Sequence, residues 1–266
     1  VIDGEVVRAG GEGRCRMIAN YGVGVNHIDL AAAASQGITV SNTPGVLTDA
    51  TADLTLTLML MLCRRAGEGE RELRAGEWSG WRPTHLVGRQ MTGKTLGIIG
   101  MGRIGRAVAH RAHFGFGMEI VFQNRSPVDD GAGVGGRQLA SVAEVCAASD
   151  FVSLHCAATP ETRHILGREA LAAMSPSAYV INTARGDVVD EDALVAALES
   201  GAIGGAGLDV FQGEPKVNPA IMAAPNTVLL PHLGSATEET RVAMGMKVVE
   251  NARAFAMGEV LPDKVG

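Results

Sequence analysis

Aromatic residues are scarce: the 266-residue chain holds two Trp, two Tyr and six Phe, 4 % of the total. That leaves too few flat side chains for a base-stacking platform along a single strand. Positive charge is short as well. Twenty-three Lys and Arg stand against 29 Asp and Glu, a formal net charge of −6, so nothing attracts a phosphate backbone and no nucleic-acid partner is expected. Long apolar runs are missing. The longest, Leu54 to Cys63, is interrupted by Thr55 and Thr57 and falls far short of the about 20 residues that cross a bilayer, so no membrane span is expected. No signal peptide is expected either, because residue 1 opens directly into sequence that reads as folded. The four cysteines (Cys15, Cys63, Cys146 and Cys156) form no Cys-x-x-Cys pair and no zinc-ligand spacing. Reduced, buried thiols in a cytoplasmic protein are the expectation, with no metal site.

What is present describes an ordinary globular chain of one or two domains: 46 % hydrophobic residues with 20 % charged, enough to bury a core. The first 14 residues are polar and glycine-rich. A short strand at 16–19 leads through the turn Asn20-Tyr-Gly-Val-Gly24 to a helix over 28–36, with Asn26 or His27 near its cap and Gly37 at its end. A strand at 38–40 and the breaker Asn42-Thr-Pro-Gly45 precede a helix over 48–63. Asp49 and Asp53 in its first turns oppose the helix dipole. That helix is apolar on nearly all sides, which places it in a core or a subunit interface. Residues 67–94, with Trp78 and Trp81, read as a polar connection.

From Lys94 onward, strands at 95–99, 119–122, 151–155, 178–182, 205–209 and 227–230 alternate with helices at 103–113, 141–147, 168–173, 190–199 and 236–256. Alternation of this kind implies right-handed crossovers and a parallel sheet covered on both faces. The first strand runs directly into Gly100-Met-Gly102-Arg-Ile-Gly105 and then into a helix. In a glycine fingerprint so placed, Gly100 allows the tight turn, Gly102 lets the backbone approach a pyrophosphate, and Gly105 lets helix pack close on strand. The pyrophosphate rests on the open N–H groups of the helix N-terminus. Strand on one side and helix on the other turn a weak motif into a specific one.

The second strand of such a unit normally ends near an Asp or Glu that grips the adenosine ribose. Here Asn124, Arg125 and Ser126 occupy that place. A carboxylate would repel a 2′-phosphate, whereas Arg125 can pair with one and Ser126 can donate a hydrogen bond. NADP(H) is therefore the expected cofactor, with NAD(H) possible in principle.

Three segments fall at the carboxyl ends of later strands, where open parallel sheets bind ligands. Ile181-Asn-Thr-Ala-Arg185-Gly carries an arginine suited to clamping a carboxylate through two parallel N–H bonds. Gly213-Glu214-Pro supplies a carboxylate, and Pro231-His232-Leu-Gly-Ser235 supplies a histidine. A histidine beside a carboxylate gains proton affinity and a fixed orientation, and can shuttle a proton. Alone, each residue would pass for an ion-pair partner or a packed side chain. Together, after a dinucleotide fingerprint, they are specific.

From about Met17 to the C-terminus the chain resembles the D-isomer-specific 2-hydroxyacid dehydrogenases. The likeness rests on Gly22-Val-Gly24, the Gly100–Gly105 fingerprint, Asn182-Thr-Ala-Arg-Gly186, Gly213-Glu-Pro215 and Pro231-His-Leu-Gly-Ser235. It implies Arg185, Glu214 and His232 as catalytic residues: Arg185 on the substrate's carboxylate and carbonyl, Glu214 paired with the histidine, and His232 as general acid/base. It implies substrate contacts at Val23, Gly24 and Ser235 as well. Cofactor contacts are implied at Gly100, Gly102, Arg103, Ile104 and Gly105, at Asn124, Arg125 and Ser126, and at Cys156, Thr183, Ala184, Asp209, His232 and Gly234. Within the family, Gly76-Glu-Trp78-Ser-Gly-Trp81 and the Asn124–Ser126 box are most similar to glyoxylate/hydroxypyruvate reductases.

The fold implied is α/β: a Rossmann-type, doubly wound parallel-sheet cofactor domain over 44–233, plus a discontinuous flavodoxin-like substrate domain from 1–43 and 234–266. The substrate lies between the domains in that family, and the 48–63 helix helps build a homodimer. The chain starts at Val1 without a Met, and the resemblance implies that the first strands of the substrate domain precede it. Ala157 stands where many relatives carry proline. The formate-oxidising branch has glutamine where Glu214 stands, which argues against formate. The expected substrate is a small 2-oxo or 2-hydroxy acid. Two alternatives stay open: an NAD-dependent D-2-hydroxyacid or 3-phosphoglycerate dehydrogenase, disfavoured by Asn124, and a nucleotide-sensing corepressor-like binding protein that shares the fold.

Overall fold

Apolar strands set between amphipathic helices build most of the chain. The computed structural model describes residues 1–13 and 15–266. In chain order the elements are α1 (Gly4–Gly13), β1 (Met17–Ala19), α2 (Leu30–Ser35), β2 (Thr39–Ser41), α3 (Thr48–Cys63) and α4 (Ala66–Arg74). There follow β3 (Thr95–Ile99), α5 (Arg103–Phe116), β4 (Glu119–Gln123), β5 (Arg137–Gln138), α6 (Val142–Ala147), β6 (Phe151–Leu154) and α7 (Arg168–Ala172). The chain closes with β7 (Tyr179–Asn182), α8 (Glu191–Glu199), β8 (Gly205–Leu208), α9 (Pro219–Ala223), β9 (Thr227–Leu229), α10 (Glu238–Met257) and β10 (Lys264–Val265). Two compact units result, Val1–Ala50 with Ser235–Gly266, and Thr51–Gly234.

The larger unit is a seven-stranded parallel sheet in the order β5-β4-β3-β6-β7-β8-β9. The order reverses between β3 and β6, the switch point at which such sheets open a crevice beyond their strand ends. Alternate side chains of each strand enter separate cores. Ile98, Phe151 and Ile181 pack with Leu58 and Met59 of α3 and Val108 and Ala112 of α5. Ile99, Val152, Leu154 and Val180 pack with Leu171 of α7 and Leu194 and Leu198 of α8. Burying each such large side chain contributes about 1.5–3 kcal/mol. Ser141 and Asp190 start α6 and α8 by accepting the N–H groups of Glu144 and Ala193. Gly117 ends α5 in the left-handed conformation, the usual role of a glycine just past a helix.

The smaller unit has a three-stranded sheet, β1-β2-β10, with β1 parallel and β10 antiparallel to β2. Its core joins Val7, Ile28, Ala33, Ile38 and Val40. Asp263 fastens the chain end before β10: its carboxylate takes Lys247 Nζ at 3.0 Å and Asn251 Nδ2 at 3.0 Å, and its N–H donates to Asn251 Oδ1.

Two local expectations change, and one helix adds to the reading. α1 forms in the polar start of the chain, where Asp3 Oδ1 accepts the N–H groups of Glu5 and Val6 and Val7 is buried. Burial against Ile28 is a tertiary effect that a glycine-rich sequence conceals. The cap of α2 is Asp29, not Asn26 or His27; its carboxylate accepts the Ala32 N–H at 2.8 Å. Within 67–94, α4 forms with no buried side chain; the local ion pairs Arg65–Glu68 and Arg74–Glu70 run along it, the sort that favours even a polar helix.

Candidate active site

The loop between β3 and α5 is shaped by what its glycines leave out. Gly100 has φ +96°, and a Cβ on it would lie 2.7 Å from Cys156 N. A Cβ on Gly105 would lie 2.3 Å from Gly100 O. Both positions are closed by the protein's own backbone. Gly102 differs: a Cβ there would meet nothing within 4 Å, and its φ of −79° is open to any residue. The fold does not require glycine at 102. Gly102 is also the N-cap of α5 and makes no side-chain cap hydrogen bond, so the N–H groups of the first turn, at Arg103 and Ile104, lack a cap from it. A clear cradle over uncapped, positively polarised N–H groups fits a pyrophosphate.

Asn124, at the end of β4, braces that loop. Its Oδ1 accepts the Met101 N–H at 3.1 Å and its Nδ2 donates to Ser126 O at 2.9 Å. Gln138 on β5 supports the same corner: Nε2 donates to Asn124 O and Oε1 accepts the Val128 N–H, both at 3.0 Å. Arg125 and Ser126 are exposed beside it. The positive field of Arg125 reaches Glu161, whose carboxyl is lowered first by the Thr159 hydroxyl and by its own backbone, and then by this guanidinium.

At the switch point β6 is followed by His155 and Cys156. Burial pushes the Cys156 thiol up to about 11 and the His155 imidazole down to about 3, so both are neutral at pH 7. His155 Nε2 lies 2.8 Å from Ser153 Oγ, and its buried Nδ1 has no hydrogen-bond partner among the described residues.

Beyond β7, Asn182 forms a side-chain-closed turn. Its Oδ1 accepts the Ala184 N–H at 3.0 Å and its Nδ2 donates to Arg185 O at 2.8 Å. The Thr183 hydroxyl meets Thr55 Oγ1 of α3 at 3.0 Å, and Thr51 Oγ1 donates to Gly234 O at 3.0 Å. Arg185 is partly buried. Desolvation draws its guanidinium below the ordinary value, with the Glu214 carboxylate opposing that shift; an arginine stays cationic regardless.

His232 follows β9 with φ +56°, a conformation that costs a β-carbon-bearing residue about 1–3 kcal/mol and persists only where its surroundings over-determine it. Asp209, at the end of β8, does so. Its carbonyl accepts the His232 N–H at 2.9 Å, and its carboxylate oxygens accept the N–H groups of Leu233 at 2.6 Å and Gly234 at 2.8 Å. Burial raises the Asp209 carboxyl, and those two N–H bonds and nearby His232 partly offset the rise. The ring so held places Nδ1 2.7 Å from Glu214 Oε2, while Glu214 Oε1 accepts the Phe211 N–H at 2.8 Å. Nδ1 is thus engaged by the carboxylate, and Nε2 is the nitrogen left to serve a reacting group. The side chains of His232 and Glu214 are 47 % and 33 % exposed, so the pair opens toward solvent.

Arg185, Glu214, His232, Asp209, Thr183, Ala184 and Gly234 therefore lie on the strand-end loops of β7, β8 and β9, and the Gly100–Gly105 loop with Cys156 lies at β3 and β6. Val23, Gly24 and Ser235 belong to the smaller unit. There Asn20 and Asn42 take up the carbonyls of Gly22, Val23 and Gly24, and the N–H groups of Val23 and Gly24 make no hydrogen bond among the described residues. Sequence reasoning passed over Asn182, Thr51, Thr55 and Gln138. Asn182, the last residue of a strand and two residues before Ala184, carried a local signal for a side-chain turn; the other three act across the fold and carried none.

Fold and strand-end groups define a dinucleotide-dependent dehydrogenase. The chain belongs to the D-isomer specific 2-hydroxyacid dehydrogenases, whose NAD binding domain profile matches residues 56–234. It is 46 % identical over 256 residues to the glyoxylate reductase of Thermococcus litoralis, covering 95 % of this chain and 77 % of the relative. A glyoxylate reductase structure from Paecilomyes thermophila superposes with a TM-score of 0.89 at 41 % identity, over 99 % of this chain and 79 % of that one. An NADPH-dependent glyoxylate/hydroxypyruvate reductase from Sinorhizobium meliloti, solved with NADP and malonate, gives 0.88 at 38 % identity, over 94 % and 77 %. The protein is an NAD(P)-dependent D-2-hydroxyacid dehydrogenase acting on a small 2-oxo acid. Among the described residues no helix is long and apolar enough to cross a membrane.

Proposed function

We propose that this chain reduces glyoxylate or hydroxypyruvate to the 2-hydroxy acid, with NADPH as the preferred reductant and His232 as proton donor. The observation that carries this reading is the Glu214 Oε2–His232 Nδ1 contact of 2.7 Å. It fixes the ring and leaves Nε2 to serve a substrate oxygen. Reduced nicotinamide, when bound, supplies the hydride for the carbonyl carbon. Arg185 holds the substrate's carboxylate, and partial burial strengthens that attraction. Val23, Gly24 and Ser235 are assigned to the substrate through family resemblance, and the N–H groups of Val23 and Gly24 are suited to a carboxylate. Gly100, Gly102, Arg103, Ile104 and Gly105 hold the pyrophosphate. Arg125 and Ser126 hold the 2′-phosphate, with Asn124 shaping their corner. Cys156, Thr183, Ala184, Asp209, His232 and Gly234 surround the nicotinamide.

Residues 44–233 form the cofactor domain in this reading, and 1–43 with 234–266 form the substrate domain. A cytoplasmic homodimer is part of the same proposal. Leu60 of α3 is 37 % exposed, and Trp78, Trp81 and Val87 are at least half exposed, an apolar surface suited to a second copy. Sedimentation of the purified chain at twice the monomer mass is the expected result.

The test of function is the initial rate with NADPH and with NADH against glyoxylate, hydroxypyruvate and pyruvate at neutral pH. Fast NADPH-dependent reduction of either of the first two supports the proposal. Preference for NADH would show that Arg125 binds no phosphate and would return the NAD-dependent branch. No turnover with any pair would favour a nucleotide-binding role.

A further inference from the structure

Glu191 opens α8 six residues after Arg185, and only 6 % of it is exposed. A carboxylate so enclosed needs strong partners. Its Oε1 accepts the N–H of Gln212 at 2.7 Å, and the Asn218 side chain also bonds to it. Gln212 is fixed a second time by its own side chain, whose Nε2 donates to Val189 O at 2.6 Å and lies 3.0 Å from His164 Nε2. On the same loop the Phe211 N–H binds Glu214 Oε1, and Glu214 Oε2 meets His232. The opposite flank of the loop is held by shape. A Cβ on Gly186 would lie 2.0 Å from Phe211 C and 2.2 Å from Gln212 N, so the loop rests directly on the backbone that follows Arg185.

We propose that Glu191 is a positioning residue: it draws the 211–214 loop onto the Arg185–Gly186 turn, and so sets Glu214 against His232 in fixed register with the substrate-binding arginine. Glu191 touches neither substrate nor reacting atoms. It acts through one backbone N–H. Two segments that carry different parts of the reaction become one rigid piece through this carboxylate. The inference rests on the roles proposed above for Glu214 and His232.

The test compares Glu191→Ala and Glu191→Gln with the unaltered chain in NADPH-dependent glyoxylate reduction. Small displacements of catalytic groups lower rates steeply, so Glu191→Ala is expected to lose at least about tenfold in kcat. Its NADPH affinity should stay unchanged. The loss should fall on kcat and not on the KM for glyoxylate, because Asn182 still holds the Arg185 turn. Glu191→Gln keeps an acceptor for the Gln212 N–H and should restore kcat. A lowered melting temperature with kcat unmoved, or no rescue by Glu191→Gln, would reduce Glu191 to a stabilising residue and overturn the inference alone. Absence of turnover by the unaltered chain would overturn the proposed function and this inference with it. Should Glu191→Ala fail to fold, Glu191→Asp, which withdraws the carboxylate by one methylene, carries the same test with the same readings.

Discussion

The two halves of the seven-stranded sheet hold their functional groups by opposite means. Around β3 and β4 the surface is defined by omission: a Cβ on Gly102 would meet nothing within 4 Å among the described residues, beside a helix end that no side chain caps. Around β7, β8 and β9 it is defined by ties. Asn182 shapes the Arg185 turn, Asp209 clamps the backbone of His232, and Glu214 grips the ring. In the proposed function the first half receives a large ligand through backbone N–H groups, and the second holds side chains still while a proton moves. The first should fail when atoms are added, the second when they are removed.

The largest expected effect lies in the second half. His232→Asn should lower kcat by about 10² to 10⁴, the usual worth of a positioned acid, with NADPH affinity by titration calorimetry unchanged. Lost cofactor affinity would place His232 in the binding half and dissolve the distinction. Next come two substitutions of equal size in the first half. Gly105→Ala drives a methyl onto the Gly100 carbonyl, only 2.3 Å from it, and should destabilise the fold by about 1–3 kcal/mol. Gly102→Ala meets nothing within 4 Å; its melting temperature should hold while cofactor affinity falls by at least about tenfold. Equal losses of stability would show that Gly102 serves the fold rather than a ligand.

The last effect concerns His155, between the two halves. Its folded-state pKa is depressed from 6.5 to about 3 by burial. The unfolded chain therefore binds the extra proton first as pH falls. Stability present above pH 6.5 should drain away as pH falls toward about 3. His155→Asn should flatten that part of the curve of melting temperature against pH. An unchanged slope would mean that the ring takes up protons readily in the fold.

The sheet was legible in the sequence because strand and helix alternate there with clear periods, and α3 falls at 48–63 as its apolar run indicates. The glycine fingerprint and the three strand-end segments were legible because motif and strand end coincide. The elements that escaped depend on distant partners. α1 is held by Val7 burying itself in the core that includes Ile28, and β5 is a two-residue strand that exists by pairing with β4. The same holds for the polar ties. Nothing near Glu191 in the chain indicates that it binds Gln212, and Thr55 meets Thr183 across 128 positions. Asn124 shows the other side of this: its place suggested the ribose, and the structure gives its side chain to the Met101 N–H and the Ser126 carbonyl.

The central claim, hydride transfer to a 2-oxo acid across these two halves, is tested most directly by isotope. NADPH carrying deuterium at C4 on the transferring face is turned over with glyoxylate, and the glycolate is analysed by mass spectrometry and NMR. The account predicts one deuterium at C2 of the product and a slowed rate relative to unlabelled NADPH. Glycolate formed without deuterium at C2, or no NADPH-dependent glycolate at all, would contradict it.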